Sequence, residues 1–410
     1  MVKIVSAQLE TPEKDHEQSV KSAHPLVSLF VPGAVLFRHV ATHLNDLGVL
    51  NHFYYSHAWK TTPASLGLPN DKATNLWVKE HLLRAHIRTV GWRFTDTCIP
   101  LYNRIWDQQL LNRWRPAPVA HGLLWGASMR TLAHARRNGS VTLGLVVNAH
   151  PEVSTALLAE EGERVGVRQS AKVDSVQRAI LDEKDICEHL HAESHFTRDS
   201  FIAKGFPDDR VHLVPPSQNT KLFYPATEGE LRQKSQEFRV ICVAQISLRK
   251  GQVHLLKAWR KMKLKNAKLT LVGEVNYQIA PLIKPYADEF EHIVRVPNTK
   301  LRENLIGSSI FVLPSIEDGY SFVVGEALSC GIPVITTSNN GAADLIIDGK
   351  NGYVVPASDP DALVERLQRL YENPDLLQAL SVGAISQEGI GTWKQRALDY
   401  TDVYRRIAPG

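Results

Sequence analysis

Short apolar runs of strand length alternate along the whole chain with segments in which apolar residues have helical spacing. This alternation predicts parallel sheets that are covered by helices on both faces, so the fold class is α/β. In the first half we predict strands at 26–31, 51–55, 117–121, 142–148, 189–192 and 211–214, with helices such as 37–47 and 129–137 between them. In the second half we predict strands at 239–246, 268–272, 293–296, 310–314 and 333–336.

A polar stretch divides these two halves. Residues 225–237 are opened by a proline and hold few large apolar side chains, which is typical of a linker between domains. A chain of 410 residues is also long enough for two hydrophobic cores. We therefore predict a first domain over 1–225, a linker over 226–237 and a second domain over 238–391. A last helix at about 392–410 is expected to pack back on the first domain.

Composition excludes several classes of protein. A net charge of +4 is too small and too dispersed for a dedicated nucleic-acid binder, so we expect no nucleic-acid partner. The four cysteines lie far apart without zinc-ligand spacing, and we interpret them as reduced, mostly buried thiols. No stretch has the roughly 20 apolar residues of a membrane span, and residues 1–20 are charged where a signal peptide is apolar. These features predict a cytoplasmic protein.

Two cations and a glycine stand between a predicted strand and a helical segment at 252–259. They are Arg249, Lys250 and Gly251. A phosphate group binds readily at such a place, because helix N–H groups, the helix dipole and the side chains all favour an anion. A pair of solvated charges at a helix start is an equally good explanation of these residues alone.

Two acids are spaced across a second strand-to-helix junction. Glu317, Asp318 and Gly319 lie in the loop after strand 310–314, and Glu326 lies in the helix predicted at 321–330. Ionised carboxylates accept hydrogen bonds that sugar hydroxyls donate, so the two acids can hold one ligand at two points. The backbone N–H groups near Ser321, Phe322 and Val323 are expected to face a diphosphate. Taken alone, the two acids are better explained as solvated side chains that flank an ordinary helix start.

These motifs together resemble the glycosyltransferase group 1 enzymes, a retaining family (family 4) with the GT-B fold, in which two Rossmann-like domains face each other across a cleft. The family hallmark is two acids separated by seven residues, as Asp318 and Glu326 are here, before a stretch similar to Cys330-Gly331-Ile332-Pro333-Val334. The resemblance extends through 192–196 (AESHF), 214–225 (VPPSQNTKLFYP), 339–344 (NNGAAD) and 348–356 (DGKNGYVVP).

The resemblance implies specific roles. Glu326 corresponds to the acid that binds the donor ribose, Asp318 to the acid that contacts the transferred sugar, and Lys250 to the lysine that holds the diphosphate. Val296 lies in a segment, 294–297, similar to the one that faces the nucleobase.

The sequence also departs from the family. The first acid is usually glutamate, and here Asp318 is preceded by Glu317, so either can reach the sugar. Gln245 stands where the family places a phosphate-binding arginine, and Arg249 can supply that charge. Asp344 is a shorter equivalent of the usual acid after the glycine-rich loop.

In the first half, two features match what the resemblance implies for the acceptor domain. Gly33, at the end of the first strand, resembles the turn that offers its backbone to the donor phosphates. His150 follows the strand predicted at 142–148 and is our candidate for the active-site histidine. His121 is the closest rival, and His57 and His195 are weaker ones.

Residues 77–115 combine basic and aromatic side chains. The basic ones are Lys79, Arg84, Arg88, Arg93, Arg104, Arg113 and Arg115, and the aromatic ones include Trp92, Phe94, Tyr102, Trp106 and Trp114. We favour an amphipathic helical pair whose apolar face is core. The alternatives are contact with an anionic membrane surface and a platform that stacks on acceptor sugars.

The expected activity is metal-independent transfer, with retention, of a hexose-type sugar from a nucleoside-diphosphate sugar to a saccharide or lipid-linked saccharide, in polysaccharide or glycoconjugate biosynthesis. The resemblance implies no cofactor beyond the sugar nucleotide, which is the donor substrate. A phosphorylase or epimerase of the same fold is one alternative. A sensor or scaffold that binds sugar nucleotides is the other, because Asp318 and Gln245 replace commoner residues.

Overall fold

In the computed structural model, residues 24–33, 37–91, 94–227, 229–230, 237–385 and 390–408 are described. Their strands form two sheets, of seven and six strands, in which every pair of neighbours is parallel. The predicted α/β class is confirmed. Residues 1–20, used in the prediction of location, and most of the predicted linker lie outside the described residues.

The first sheet has the strand order β3-β2-β1-β4-β5-β6-β7. Its strands are β1 (Val27–Val31), β2 (Leu50–Tyr55), β3 (Ala73–Asn75), β4 (Val119–Leu123), β5 (Val141–Val146), β6 (His189–Ala192) and β7 (Val211–Leu213). The helices of this half are α1 (Arg38–Asp46), α2 (Val78–Val90), α3 (Thr95–Leu111), α4 (Met129–Arg137), α5 (Pro151–Val165), α6 (Ser175–Ile186) and α7 (His195–Ile202). Because side chains alternate between the faces of a strand, Leu29 joins one hydrophobic cluster and Phe30 joins another on the opposite face.

The second sheet has the order β10-β9-β8-β11-β12-β13. Its strands are β8 (Phe238–Val243), β9 (Ala267–Val272), β10 (Glu291–Ile293), β11 (Ile310–Leu313), β12 (Val334–Thr337) and β13 (Gly352–Val355). Its helices are α8 (Gln252–Met262), α9 (Ala280–Ile283), α10 (Asn298–Ile306), α11 (Phe322–Ser329), α12 (Pro360–Glu372) and α13 (Pro374–Ile385). The central β11 is buried along its whole length, as expected of a strand covered on both faces.

The last helix, α14 (Trp393–Ile407), follows the second sheet in sequence but packs on the first. Ala397, Tyr400, Val403 and Tyr404 belong to one hydrophobic cluster of the first sheet. The strands of the first sheet end at residue 213 and those of the second begin at residue 238. The exact domain boundaries stay a prediction.

Three elements differ from the prediction. The strand predicted at 293–296 is found at Glu291–Ile293, where it pairs with β9. Val294 is already 56% exposed and Pro297 lacks the N–H that a ladder needs, so the chain leaves the sheet there. The prediction omitted β3 and β13, which are only 3 and 4 residues long. No helix of the described residues is long and apolar enough to cross a membrane.

Candidate active site

Arg249 and Lys250 lie in a short 3-10 turn, Leu248–Lys250, between β8 and α8. The turn ends at Gly251, whose φ of +69° is in the left-handed region. A Cβ at this position would lie 2.0 Å from the carbonyl oxygen of Pro314. Only glycine allows the turn to approach the end of β11 so closely, and this approach brings both cations to the loop that follows β11.

Asp318, in that loop, is held by cations and a hydroxyl. Its carboxylate accepts hydrogen bonds from Lys250 Nζ, from Ser321 Oγ and, at 3.3 Å, from Arg249 Nη2. Burial by itself would raise the pKa of Asp318, but the charges of Lys250 and Arg249 outweigh burial and lower that pKa. Asp318 is therefore a carboxylate at neutral pH, and it lies on the side of the loop that faces Lys250.

Glu317 points to the other side and joins the two sheets. Its carboxylate accepts a hydrogen bond from Arg249 Nε at 2.7 Å and one from the backbone N–H of Ala149 at 3.2 Å. Arg249 also donates through Nη2 to Asn148 Oδ1, at 2.9 Å. Asn148 was not among the predicted site residues, although a polar residue just after β5 is a signal that could have identified it.

Close backbone packing surrounds the acidic loop. A Cβ on Gly319 would lie 1.9 Å from the carbonyl oxygen of Val147, so the loop touches the end of β5 directly. The carbonyl oxygen of Gly319 accepts hydrogen bonds from Ser194 Oγ at 2.7 Å and Thr197 Oγ1 at 3.3 Å. Both hydroxyls lie at the start of α7. The loop that carries the acids is thus clamped between the two halves of the chain.

Glu326 lies on α11, partly buried, and forms no side-chain hydrogen bond or ion pair with another described residue. Burial raises the pKa of this carboxyl to about 7. Phe322 and Val323 lie in the first turn of α11, where N–H groups have no partner within the helix. The Ser321 hydroxyl accepts no capping hydrogen bond from this turn, and it donates to Asp318.

The other predicted donor residues lie around this centre. Gln245 is exposed after β8, and its backbone oxygen accepts a hydrogen bond from Gln252 Nε2 at 3.0 Å. Val296 follows β10 and packs partly against the core of the second sheet. Gly33 follows β1, whereas Ala34, the next residue of the predicted turn, lies outside the described residues.

Lys79 is a buried cation that the sequence did not single out as a site residue. Its side chain is the one buried residue of the described helix α2, and its Nζ donates to the carbonyl oxygen of Pro32 at 3.3 Å, next to Gly33. Burial lowers the pKa of Lys79 to about 8, although the negative charges of Glu80 and Glu183 favour the protonated form. A buried lysine on a helix whose other residues are half-buried or exposed is a positioning group for the turn after β1.

The backbone of His150 lies next to Ala149, which contacts Glu317, but the imidazole ring of His150 contacts only neighbouring residues of its own half among the described residues. Nδ1 accepts a hydrogen bond from the N–H of Glu152 at 3.3 Å and so caps α5. The ring packs edge-on against Phe201, with centroids 5.1 Å apart, and burial lowers its pKa to about 4. The catalytic role of His150 stays a prediction.

The rival histidines lie elsewhere. His121 is fully buried under α14, where Nδ1 is 2.8 Å from the hydroxyl of Tyr404, and burial lowers its pKa to about 3. His195 forms an ion-pair contact of 3.1 Å with Asp344. His57 Nδ1 is 2.6 Å from Thr61 Oγ1. Each of these rings thus has a local structural partner.

A cavity of about 350 Å³ opens beside Arg249 and Glu317 on the side of the first sheet. Most of its wall is apolar, and its polar lining residues besides Arg249 and Glu317 are Asn148, Ser154, Asp174 and Gln177. Trp125, 37% exposed, forms another part of the wall. The cavity therefore offers one aromatic face and several hydrogen-bonding groups within reach of the acidic loop.

The preferred explanation of residues 77–115 fails for α2. Its one buried side chain is that of Lys79, so its apolar residues are not core. Trp59 (62% exposed) and Trp77 (44% exposed) flank a groove whose basic lining residues are His81, Arg84 and Arg88. In α3 the explanation holds in part, since Trp106 and Leu110 are fully buried.

Known proteins resemble both the sequence and the fold. The model of the glycosyl transferases group 1 family matches residues 225–387. A GDP-mannose-dependent alpha-(1-6)-phosphatidylinositol monomannoside mannosyltransferase of Mycolicibacterium smegmatis is 25% identical over 240 residues, which are 54% of this chain and 62% of that protein. An alpha-maltose-1-phosphate synthase of the same organism is 26% identical over 336 residues, 74% of this chain and 82% of that protein.

Two solved structures share the architecture. Sucrose-phosphate synthase from Thermosynechococcus elongatus superposes with a TM-score of 0.69 at 18% identity and covers 93% of this chain and 98% of its own. A trehalose-6-phosphate structure from E. coli, bound with UDP-2-fluoro glucose, superposes with a TM-score of 0.66 at 11% identity and covers 94% and 100%. The two-sheet fold is the GT-B fold. The part of the chain that holds most of the candidate donor residues, 225–387, thus resembles the glycosyl transferases group 1 family.

Proposed function

We propose that this protein is a retaining glycosyltransferase that moves a sugar from a nucleoside-diphosphate sugar to a saccharide or glycolipid acceptor. One observation carries the proposal: Arg249 and Lys250 lie against Asp318 at the first turn of α11, at the carboxyl ends of the strands of the second sheet. Ligands of parallel α/β sheets bind at that edge. Two cations, free helix N–H groups and a carboxylate suit a diphosphate joined to a sugar.

The proposed roles on the donor side follow from position. Lys250 and the N–H groups of Phe322 and Val323 hold the diphosphate, and Glu326 binds the ribose through its unpaired carboxylate. Asp318 contacts the transferred sugar, because it faces Lys250 whereas Glu317 faces the first sheet. Gly33 and Val296 are the proposed contacts to the phosphates and to the base, and Gln245 lies at the rim. The GDP-mannose and UDP donors of the relatives suggest such a donor class.

The proposed chemistry needs few groups. The bond between donor C1 and the phosphate oxygen breaks, the acceptor oxygen bonds to C1 on the same face, and the acceptor proton passes to the departing phosphate. Lys250 and Arg249 stabilise the negative charge that develops on that phosphate. Glu317 orients Arg249 by a 2.7 Å hydrogen bond, and the contact of Gly319 with Val147 keeps water out between the halves.

The acceptor is proposed to enter the cavity of about 350 Å³ beside Glu317 and Arg249. Trp125 offers a ring face to a sugar, and Asn148 and Gln177 offer amide groups to its hydroxyls. The phosphatidylinositol mannoside acceptor named for one relative and the maltose 1-phosphate product named for another suggest the same acceptor class, a saccharide or glycolipid.

We also propose that α2 contacts an anionic membrane surface. Its groove combines the exposed rings of Trp59 and Trp77 with the cations Arg84 and Arg88, the combination that binds at a lipid interface. Co-sedimentation with phosphatidylglycerol vesicles, but not with neutral phosphatidylcholine vesicles, is the expected result. Equal recovery of Arg84→Gln/Arg88→Gln and of the parent protein with the anionic vesicles would refute this contact.

To test the activity, the purified protein is incubated with a panel of nucleoside-diphosphate sugars and with mono- and disaccharide acceptors in the presence of a metal chelator. The measurement is the release of free nucleoside diphosphate. Release from one donor by the parent protein, and its loss in Glu326→Ala, is expected. Binding of a donor without release from any member of the panel would instead support a sensor or scaffold.

A further inference from the structure

A second cavity, of about 510 Å³, lies next to the proposed acceptor cavity and is lined by three arginines. They are Arg104 on α3, Arg130 on α4 and Arg178 on α6. All three side chains are exposed, and none forms an ion pair with a carboxylate of the described residues. Arg130 donates through Nη1 to Gln108 Oε1 at 2.6 Å, which holds its guanidinium near the cavity without neutralising it.

The acids close to this cavity are engaged elsewhere. Asp107 accepts hydrogen bonds from the N–H groups of Arg130 at 2.8 Å and Thr131 at 3.1 Å, and from the hydroxyl of Thr131 at 2.7 Å. Glu183, fully buried below, accepts the N–H groups of Gly126 and Ser128. Burial raises the pKa of both carboxyls, to about 7 for Glu183. Asp182 is the remaining acid of the lining, so the arginines outnumber the acids that can neutralise them.

The two cavities are neighbours along the same wall. Val176 lines both of them. Trp125 and Gln177 line the acceptor cavity, and the residues that follow them in sequence, Gly126 and Arg178, line the arginine cavity. The two cavities therefore adjoin at Val176.

We propose that the acceptor carries an anionic group, a phosphate or a carboxylate, that binds to Arg104, Arg130 and Arg178 while its reacting hydroxyl occupies the neighbouring cavity. A guanidinium group can donate two parallel hydrogen bonds to two oxygens of a phosphate or a carboxylate. Three arginines from three helices can together donate to one such anion. This inference rests on the proposed transferase activity, since it assigns the chemical class of the acceptor for that reaction.

The first test is a calorimetric titration with inorganic pyrophosphate in a Lys250→Gln background, which weakens the donor phosphate site. Adding Arg104→Gln/Arg178→Gln is expected to raise the dissociation constant about tenfold or more. The matched control adds Arg113→Gln/Arg137→Gln, which removes the same charge from two exposed arginines of the same half. In this control the dissociation constant should change by less than about twofold. Equal weakening in both, or none in either, overturns the proposal.

The second test compares acceptors that differ in one group: a hexose, its phosphate ester and its uronic acid. A charged member is expected to have a kcat/KM at least about tenfold above that of the neutral hexose. Arg104→Gln/Arg178→Gln should remove that advantage and the control pair should keep it, and the favoured member distinguishes phosphate from carboxylate. Pyrophosphate binding without any preference among turned-over acceptors would assign the cavity to a free anion and overturn the acceptor assignment. Failure of all donor turnover would refute the proposed activity, and the titration would still decide the anion site.

Discussion

The two sides of the cleft are built differently. On the second sheet the cations and acids come from two short segments, Leu248–Lys250 and the loop after β11, and they contact one another directly. On the first sheet the groups that face the cleft come from the segments after β4 and β5 and from α3, α4, α5 and α6, and they are dispersed around open cavities. A compact charged site suits an invariant diphosphate, whereas a dispersed wall can be changed one residue at a time to suit another acceptor.

The largest effect is expected at Lys250. In Lys250→Gln the proposed contact to the leaving phosphate is lost, and Asp318 keeps only Arg249 as a cationic partner. We expect kcat for donor turnover to fall about 100- to 1000-fold. The matched control is Lys257→Gln, an exposed lysine on α8, which should retain parental turnover. Steady-state rates of both variants decide the point, and a kcat for Lys250→Gln within threefold of the parent would remove Lys250 from the site.

A smaller loss, about 100-fold in kcat, is expected when the two halves are pushed apart. Gly319→Ala places a methyl group 1.9 Å from the carbonyl oxygen of Val147, so the acidic loop must move away from β5. Affinity for the nucleoside diphosphate should change little, because all of its proposed contacts except Gly33 lie in the second half of the chain. Gly307→Ala, whose added Cβ lies 3.3 Å from its nearest neighbour, is the control. Parental kcat in Gly319→Ala would show that the contact is dispensable.

A pH-dependent effect of roughly tenfold is expected from Glu326. Its pKa of about 7 means that the carboxylate, the form that accepts ribose hydroxyls, predominates only above that pH. KM for the donor should therefore fall roughly tenfold between about pH 6 and about pH 8. In Glu326→Gln this dependence should disappear, and a KM profile identical to the parent's would contradict the assigned role.

The same ionisation acts on stability with the opposite sign. The folded pKa of Glu326 is raised from 4.5 to about 7, so the folded protein holds this proton more tightly than the unfolded chain does. The stabilisation from this group is complete below about pH 4.5 and is lost as the pH rises to about 7. In Glu326→Gln, the melting temperature should lack the part of its pH dependence that arises from Glu326 between about pH 4.5 and about pH 7.

The smallest effect is expected at His150, which lies on the first-sheet side of the cleft. His150→Asn keeps a side chain that can cap α5, so kcat should stay within about threefold and stability near the parental value. His150→Ala removes the cap and should cost about 1 kcal/mol of stability, measured by denaturant unfolding. A kcat loss of tenfold or more in a fully stable His150→Asn would support the substrate contact predicted from the sequence.

Much of the second sheet was predictable because its chemistry is local. Asp318 and Glu326 lie in a single strand-loop-helix unit, so their spacing is visible in the sequence. Gly251 and Gly319 lie where two backbone segments approach closely, and such positions require a glycine that the sequence also shows. The order of motifs from residue 192 to 356 was enough to indicate the family resemblance, and residues 225–387 match the model of that family. Strand bounds at β6 and helix bounds at α4 and α14 also follow the predicted ones.

The tertiary structure decided what depends on residues far apart in sequence. Periodicity could not tell that α2 leaves its apolar residues outside the core, because the same spacing serves a buried face and a surface face. It could not assign His150 to a helix cap or His121 to the packing of α14, since a histidine at a strand end has the same sequence context in either role. Glu317, Arg249 and Asn148 meet across 68 and 101 residues of chain, and Arg104, Arg130 and Arg178 meet from three helices. By itself the sequence determined the fold class and the resemblance to a known family, because these depend on local pattern. The packing of the two halves determined which groups share a cavity, because that depends on distances that only the folded chain sets.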